Sequence, residues 1–330
     1  MFKISQHRFP RRLFSQLLPL LLAGAAAHAQ SAWPTKPVTL VVPFVAGGGT
    51  DIGTRILAQR LSQAWGQAVM VDNKGCAGGN VGLEAVSRAR PDGYILLIGN
   101  VGTQAINPTL YKKLSYNPDT AFVPVGQFAE LPFVLAVTPS LPVRNVKELV
   151  AMGKAQPDKL TYASSGNGGS PHLSAETFKI ATGTQMLHIP YKGGGAAMTD
   201  LMAGNVDMIF ASVLETSGFI KAGKLKALAI TSKNRVSALP DVPTLQESGV
   251  SGAESGSWIG LLAPAGTPRD IVDKISQGVQ QAVASSEFQQ QLLAQGAVAK
   301  SGTPAEFAQL IADDRKRYAR IIIDNKLAMD

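Results

Sequence analysis

The chain has 330 residues, with 31 Lys and Arg against 23 Asp and Glu, giving a formal charge of +8. A single cysteine, Cys76, excludes an internal disulfide and a cysteine zinc cluster. With 45% hydrophobic residues the chain is not disordered, and its length predicts about two domains at ~150 residues each. Charged residues make up 16%, below the ~25% usual for globular chains, so the surface is quiet rather than strongly basic.

The basic excess is concentrated at the start. Lys3, Arg8, Arg11 and Arg12 stand without an acid, followed by the apolar run Leu17-Leu18-Pro19-Leu20-Leu21-Leu22-Ala23 and the small-residue end Ala27-His28-Ala29. A basic segment, an apolar segment and an A-x-A site read as a secretory signal peptide over residues 1–29. The run is too short for a ~20-residue membrane span. Arg11-Arg12-Leu13-Phe14 also resembles a twin-arginine signal, so export runs through the general secretory or the twin-arginine route. Cleavage after Ala29 removes four charges and takes the formal charge from +8 to +4. No later run reaches membrane length, and a soluble mature chain is expected.

Strands and helices then alternate. Val38–Pro43 is a buried strand broken by Gly47-Gly48-Gly49-Thr50-Asp51. A helix follows with Ile52, Ile56, Leu57, Leu61 and Trp65 on one face. Residues 68–71 and 94–98 are strands around a helix over 81–90, an order that argues for a parallel sheet with right-handed crossovers. The stretch 123–137 is long and extended, a candidate crossing between domains. The alternation restarts with a helix over 146–155, a strand at 160–163, a helix over 172–181, a strand at 186–190, a helix over 198–203, and strands at 206–210 and 225–230. Residues 258–263 are a plausible return crossing, and the tail is helical over 271–294 and 304–325. These elements predict an α/β fold of two lobes joined by two crossing strands. Lobe 1 takes residues 30–130 and 255–330, and lobe 2 takes 131–254. Ligands of open α/β sheets bind beyond the carboxyl ends of strands, so two facing lobes make a cleft that closes by hinge motion.

Four loops are candidates for chemistry. Pro43–Asp51 lets backbone N–H groups approach an anion at a helix start, although Thr50 or Asp51 as a plain helix cap is the simpler reading. It is neither a P-loop nor a dinucleotide fingerprint. Asn100–Ala105 follows the third strand, where an ordinary turn is equally expected. Ser164–His172 offers hydroxyls, an amide and free N–H groups suited to a carboxylate. Tyr191–Gly195 opens another helix. Ser164 or Ser165 with His172 is the one candidate nucleophile and base, but no G-x-S-x-G elbow occurs. Two mature histidines, His172 and His188, and no clustered acids make no metal site, and no cofactor is expected. Cys76 reads as a small turn residue and Asp207 as structural. Basic residues are scattered, so nucleic-acid binding is unsupported, and Arg315–Arg320 reads as the solvated face of an amphipathic helix.

A set of motifs carries a resemblance over essentially the whole mature chain. It begins with Trp33-Pro34-Thr35-Lys36-Pro37-Val38 and Val42-Pro43-Phe44 with Gly47–Asp51. It continues through Val71-Asp72-Asn73, Pro91-Asp92-Gly93-Tyr94, Ala105-Ile106-Asn107-Pro108 and Ala163–Gly168. It ends with His188–Gly193, Leu239–Thr244 and Gly260–Pro268. The chain resembles the Bug family, periplasmic solute-binding proteins of tripartite tricarboxylate transporters. The resemblance implies a two-lobed Venus-flytrap fold and a ligand carboxylate held by loop backbone, hydroxyls and waters. By position it implies binding residues Phe44, Gly48, Thr50 and Asp51, then Thr103, Gln104 and Ala105, then Ser165, Gly166, Asn167 and Ser170. Family members often have an acid after Phe210, where this chain has Ala211-Ser212. Ala211 then faces the distal part of the ligand, and a ligand cation loses a partner there. A dicarboxylate or aromatic acid is the expected ligand, with Gln104 standing where His is frequent.

Two functions follow. One is an extracytoplasmic receptor for a small organic acid, a monomer that serves the membrane subunits of a tripartite transporter or touches a sensor kinase. The other is an exported serine hydrolase using Ser164 or Ser165 with His172.

Overall fold

A computed structural model describes residues 1–3 and 33–327. Apart from residues 1–3, the expected signal peptide and its cleavage site lie outside the described residues. The chain divides into two compact units, residues 1–35 and 36–330. The described parts of the first carry no helix or strand.

The second unit opens with β1 (Val38–Val42), α1 (Gly49–Trp65), β2 (Val69–Asn73), a short 3-10 turn at Ala77–Gly79, α2 (Asn80–Ser87) and β3 (Ile95–Asn100). These three strands are parallel, with β1 between β2 and β3. A π-helical turn at Gly102–Ile106 leads into α3 (Asn107–Leu110) and then the 16-residue β4 (Phe122–Val137). Next come α4 (Val146–Ala155), β5 (Thr161–Ser164), α5 (Ser170–Thr182), β6 (Leu187–Pro190), α6 (Gly194–Ala203), β7 (Met208–Ser212), α7 (Val213–Lys221) and β8 (Lys226–Ile230). The chain ends with β9 (Gly256–Pro264), α8 (Arg269–Ala284), α9 (Ser286–Ala294), β10 (Val298–Ala299) and α10 (Pro304–Asp324).

β4 is the element that joins the two halves. Up to Pro132 it pairs antiparallel with β9, which itself lies beside β3. From Phe133 it pairs antiparallel with β7 and β8 instead, and β7, β5 and β6 run parallel. Side chains alternate across a strand, so Leu135 and Val137 feed one core while Val134 and Ala136 feed the other. Tyr162, Phe178 and Phe210 fill the first of these cores, and Leu201 and Ile209 the second. A third core, with Val41, Leu97, Trp258, Leu262 and Phe307, lies against the β1–β3 sheet. Each such fully buried side chain contributes about 1.5–3 kcal/mol, so each half has its own means of staying folded while β4 runs through both.

The first three strands are parallel as expected, and β4 and β9 enter the sheet antiparallel. Two expectations change. The predicted 271–294 helix is two helices, broken at Ser285, whose hydroxyl accepts the Phe288 N–H and starts α9. Arg315 is not simply solvated: its guanidinium donates to the Gln104 carbonyl at 2.7 Å, to Asp119 at 2.7 Å and to the Pro118 carbonyl at 2.9 Å. That ties α10 to the turn after β3, whereas Lys316, Arg317 and Arg320 of the same helix are exposed.

Candidate ligand-binding cleft

The starts of α1, α5 and α6 line one cleft through Gly48, Gly49, Gly169, Ser170 and Gly194. In none of these helices does the N-cap residue's own side chain cap the start, although the first N–H of α1, at Gly49, donates to Glu215. A helix leaves its first N–H groups without intrahelical partners, and the aligned peptide dipoles make that end positive. Three such starts facing one space make an anion site without a cationic side chain. Among the described residues the lining contains no Lys, Arg or His. Leu131, Phe133, Ile209 and Ala211 supply apolar wall, while Thr50, Asn100, Ser165, Ser170, Ser212 and Ser257 supply hydroxyls and an amide. Gly49 is required by this geometry, since a Cβ there would clash with the Ser212 hydroxyl across the cleft.

The first loop is shaped by Asp51. Its Oδ2 accepts the Gly47 N–H at 3.0 Å and Arg55 Nε at 3.0 Å, and its Oδ1 accepts Asn73 Nδ2 at 2.9 Å. Burial alone raises its pKa, but the hydrogen bonds from Arg55, Gly47 and Asn73 outweigh it and hold the carboxyl below its usual value. Neither Thr50 nor Asp51 is the helix cap; Gly48 holds that position. Thr50 instead accepts from Asn100 Nδ2 at 3.1 Å, which joins the first loop to the end of β3.

Of the residues implied by resemblance, Phe44, Gly48, Thr50, Asp51, Ser165, Ser170 and Ala211 line this cleft. Gly166 and Asn167 line an adjoining hollow with Cys76 and Tyr111, and the Tyr111 hydroxyl donates to the Asn167 carbonyl at 2.9 Å. Thr103, Gln104 and Ala105 are buried and outside the lining. The π-helical turn folds them inward, and Asn100 occupies the cleft edge, its Oδ1 accepting the Thr103 N–H at 3.0 Å.

The Ser/His alternative does not assemble as imagined. Ser164 is fully buried and its hydroxyl meets His188 Nε2 at 2.6 Å, not His172. His172 Nδ1 accepts the Gly168 N–H at 3.3 Å. The two imidazoles stack at 4.1 Å between ring centres, and Tyr162 stacks on His188 at 4.7 Å. Burial pushes His172 down to about 4 and His188 down to about 3, so both are neutral at ordinary pH. Ser165 does face the cleft but sits outside this stack. The Ser164–His188 pair is interior scaffolding for the Ser/Gly loop.

Glu215 was absent from the sequence reading. It lies in the first turn of α7, where Ser212 accepts its backbone N–H at 3.3 Å, and it lines the cleft. Its Oε1 is buried without a hydrogen-bond partner. Burial, against one N–H from Gly49, pushes its pKa from 4.5 up to about 7. Among the described residues no group of three His, Cys, Asp or Glu could hold a metal, and no helix is long and apolar enough to cross a membrane.

The model of the tripartite tricarboxylate transporter family receptor matches residues 54–327 of this chain. The chain belongs to this family. A UPF0065 protein encoded in the tcbD-tcbE intergenic region of Pseudomonas sp. (strain P51) is 35% identical over 311 residues, covering 94% of this chain and 92% of the relative. The structure of the periplasmic binding protein BugD superposes with a TM-score of 0.87 at 37% identity, covering 90% of this chain and all of that one. The structure of R. palustris Rpa4515 with adipate superposes at 0.86 with 36% identity, covering 88% of this chain and 97% of that one. This chain has the two-lobed periplasmic binding protein fold and is a solute-binding receptor of this family. The hydrolase alternative finds no support, since the family is one of receptors.

Proposed function

We propose that the chain is exported by its cleaved N-terminal signal and works in the periplasm, capturing a small carboxylate-bearing organic acid for a tripartite tricarboxylate-type transporter. The observation that carries this reading is the facing of three helix starts into one cleft with no cationic side chain among the described residues of its lining. Such a site holds a carboxylate by N–H groups and dipoles, and the apolar wall takes the carbon chain. The adipate of the Rpa4515 structure has this chemistry.

In this reading residues 30–130 with 255–330 form one lobe and 131–254 the other, with β4 and β9 as the hinge. The carboxylate meets the backbone at Gly48 to Asp51, Ser165 and Ser170, and Ala211 faces the rest of the ligand. The receptor acts as a monomer that presents its closed form to membrane subunits; a sensor kinase is a second possible reader of that form.

The test is mass spectrometry of small molecules released from natively purified protein, with thermal shift against mono- and dicarboxylates. An organic acid in the released fraction and a raised Tm are expected, since a ligand at 100 times its Kd adds about 2.7 kcal/mol. A panel that produces no shift, from protein that releases no acid, would sink the proposal.

A further inference from the structure

Glu215 brings an acid into a cleft built for an anion. Glu215 lines the cleft, and its Oε1 is buried and meets no hydrogen-bond partner. The packing around it is specific, because a Cβ on Gly194 would overlap that oxygen. Glu215 enters from α7, between the starts of α1 and α6.

The charges on the neighbouring elements are already engaged. Asp51 on α1 is held by Arg55, and Arg60 on the same helix pairs with Glu287 at 2.9 Å. Glu130 on β4 pairs with Lys300 at 2.6 Å, and Asp200 on α6 accepts from Tyr191 at 2.7 Å. β7 carries no charged residue. Among the described residues no lining cation is present to balance an ionised Glu215 together with an anionic ligand. Two buried negative charges repel strongly in a site of low dielectric. One proton removes that repulsion and turns the carboxyl into a donor, and a carboxylic O–H to a carboxylate is among the short, strong hydrogen bonds.

We propose that Glu215 is a specificity residue that recognises a carboxylate of the ligand through its protonated carboxyl, so that the receptor takes up one proton with its acid. This rests on the carboxylate reading above. With a pKa of about 7 in the free cleft, Glu215 needs little to be protonated near neutrality. Bound, the anion raises that pKa further. Affinity is therefore highest below pH 7 and falls as pH rises, by up to tenfold per unit. An ammonium-bearing ligand demands the reverse: an ionised Glu215 and tighter binding at higher pH.

The experiment is titration calorimetry on the mature protein between pH 6 and 9, with the tightest-binding acid from a panel containing adipate, monocarboxylates and amino acids. Each titration is run in two buffers of different ionisation enthalpy, on the wild type and on Glu215→Gln. The expected result is uptake of up to one proton at pH 8, and affinity falling at least tenfold from pH 6 to pH 9. Glu215→Gln, an uncharged donor, is expected to bind at pH 9 at least as well as the wild type, with a flat pH profile. Proton uptake is read on the wild type, so it stands even where the variant folds poorly. A carboxylate that binds with no proton uptake and no pH dependence overturns the role of Glu215 and leaves the receptor reading intact. An amino acid that binds more tightly with rising pH and is lost in Glu215→Gln also overturns it. If no acid binds at any pH, both readings fall.

Discussion

Asp51 and Glu215 both stand in the first turn of a helix and both line the cleft, yet their surroundings are opposite. Asp51 has the Gly47 N–H, Arg55 and Asn73 around its two oxygens and is held below its usual pKa. Glu215 has a buried oxygen with no partner and a pKa pushed up to about 7. Burial pushes both carboxyls toward the neutral form; what separates them is how many donors reach the charged form. A carboxyl whose oxygens are all engaged shapes a loop. One left with a buried, unpartnered oxygen gains from a proton instead.

The largest expected effect comes from breaking the satisfied carboxyl. Asp51→Ala strands the Gly47 N–H and the Asn73 amide and releases the first loop. Removing one partner of a buried charge network costs about 3–5 kcal/mol, and Arg55 is half exposed, so about 3 kcal/mol is expected here. Chemical denaturation measures it, and calorimetry with a carboxylate ligand should show binding weakened at least tenfold. A variant as stable as the wild type would mean that the loop holds its shape without Asp51.

The stacked imidazoles test burial against partners in groups of the opposite charge. His172 and His188 have folded pKa values of about 4 and about 3, below the unfolded 6.5. The unfolded chain therefore binds more protons between those limits, and stability falls as pH drops from about 6.5 and levels off near the folded values. At pH 5 the loss from His172 amounts to about 2 kcal/mol. Urea unfolding at pH 7.5 and pH 5 measures it, and His172→Gln should lose clearly less than the wild type over that interval. Equal losses in the two proteins would remove His172 from the account.

Glu215 titrates with the other sign. Its folded pKa is raised, so its contribution is fully present below the unfolded value of 4.5 and is lost as pH rises through about 7. Glu215→Gln should leave the unliganded protein unchanged at pH 5 and stabilise it at pH 8. The side chain is only partly covered, so the gain is about 1 kcal/mol rather than the full linkage value. Destabilisation at pH 8 would show that the ionised form is the one the fold accommodates, and the contrast with Asp51 would fail.

The same contrast explains what was legible in the sequence. Asp51 follows a glycine run between a buried strand and an amphipathic helix, which marks the loop whatever the lobes do around it. The strand and helix alternation was readable because β1, β3, β5 and β7 are short apolar runs between turn residues. α7 was not readable. Thr216, Ser217 and Gly218 are weak helix formers, and the helix is held by its Ser212 cap and by burial of Val213, Leu214 and Thr216. Missing the helix meant missing Glu215. A Ser followed three residues later by Glu, straight after a strand, was the available signal.

The smallest expected effect concerns the turn after β3, where reading and geometry part. The family resemblance implies Thr103, Gln104 and Ala105 as ligand contacts, but the π-helical turn buries all three behind Asn100. Gln104 reaches Thr103 only through a 3.4 Å hydrogen bond, and Arg315 holds its backbone carbonyl, not its side chain. Gln104→Met keeps the volume and the Arg315 contact and gives up one weak bond. It should cost about 0.5 kcal/mol of stability and shift Kd by less than about twofold. Asn100→Ala removes the donor to Thr50 and the acceptor for the Thr103 N–H at the cleft edge, and should weaken binding several-fold more. If Gln104→Met weakened binding as much as Asn100→Ala, the side chain behind the wall would belong to the ligand site, and the inward fold of this turn would not be the form that binds.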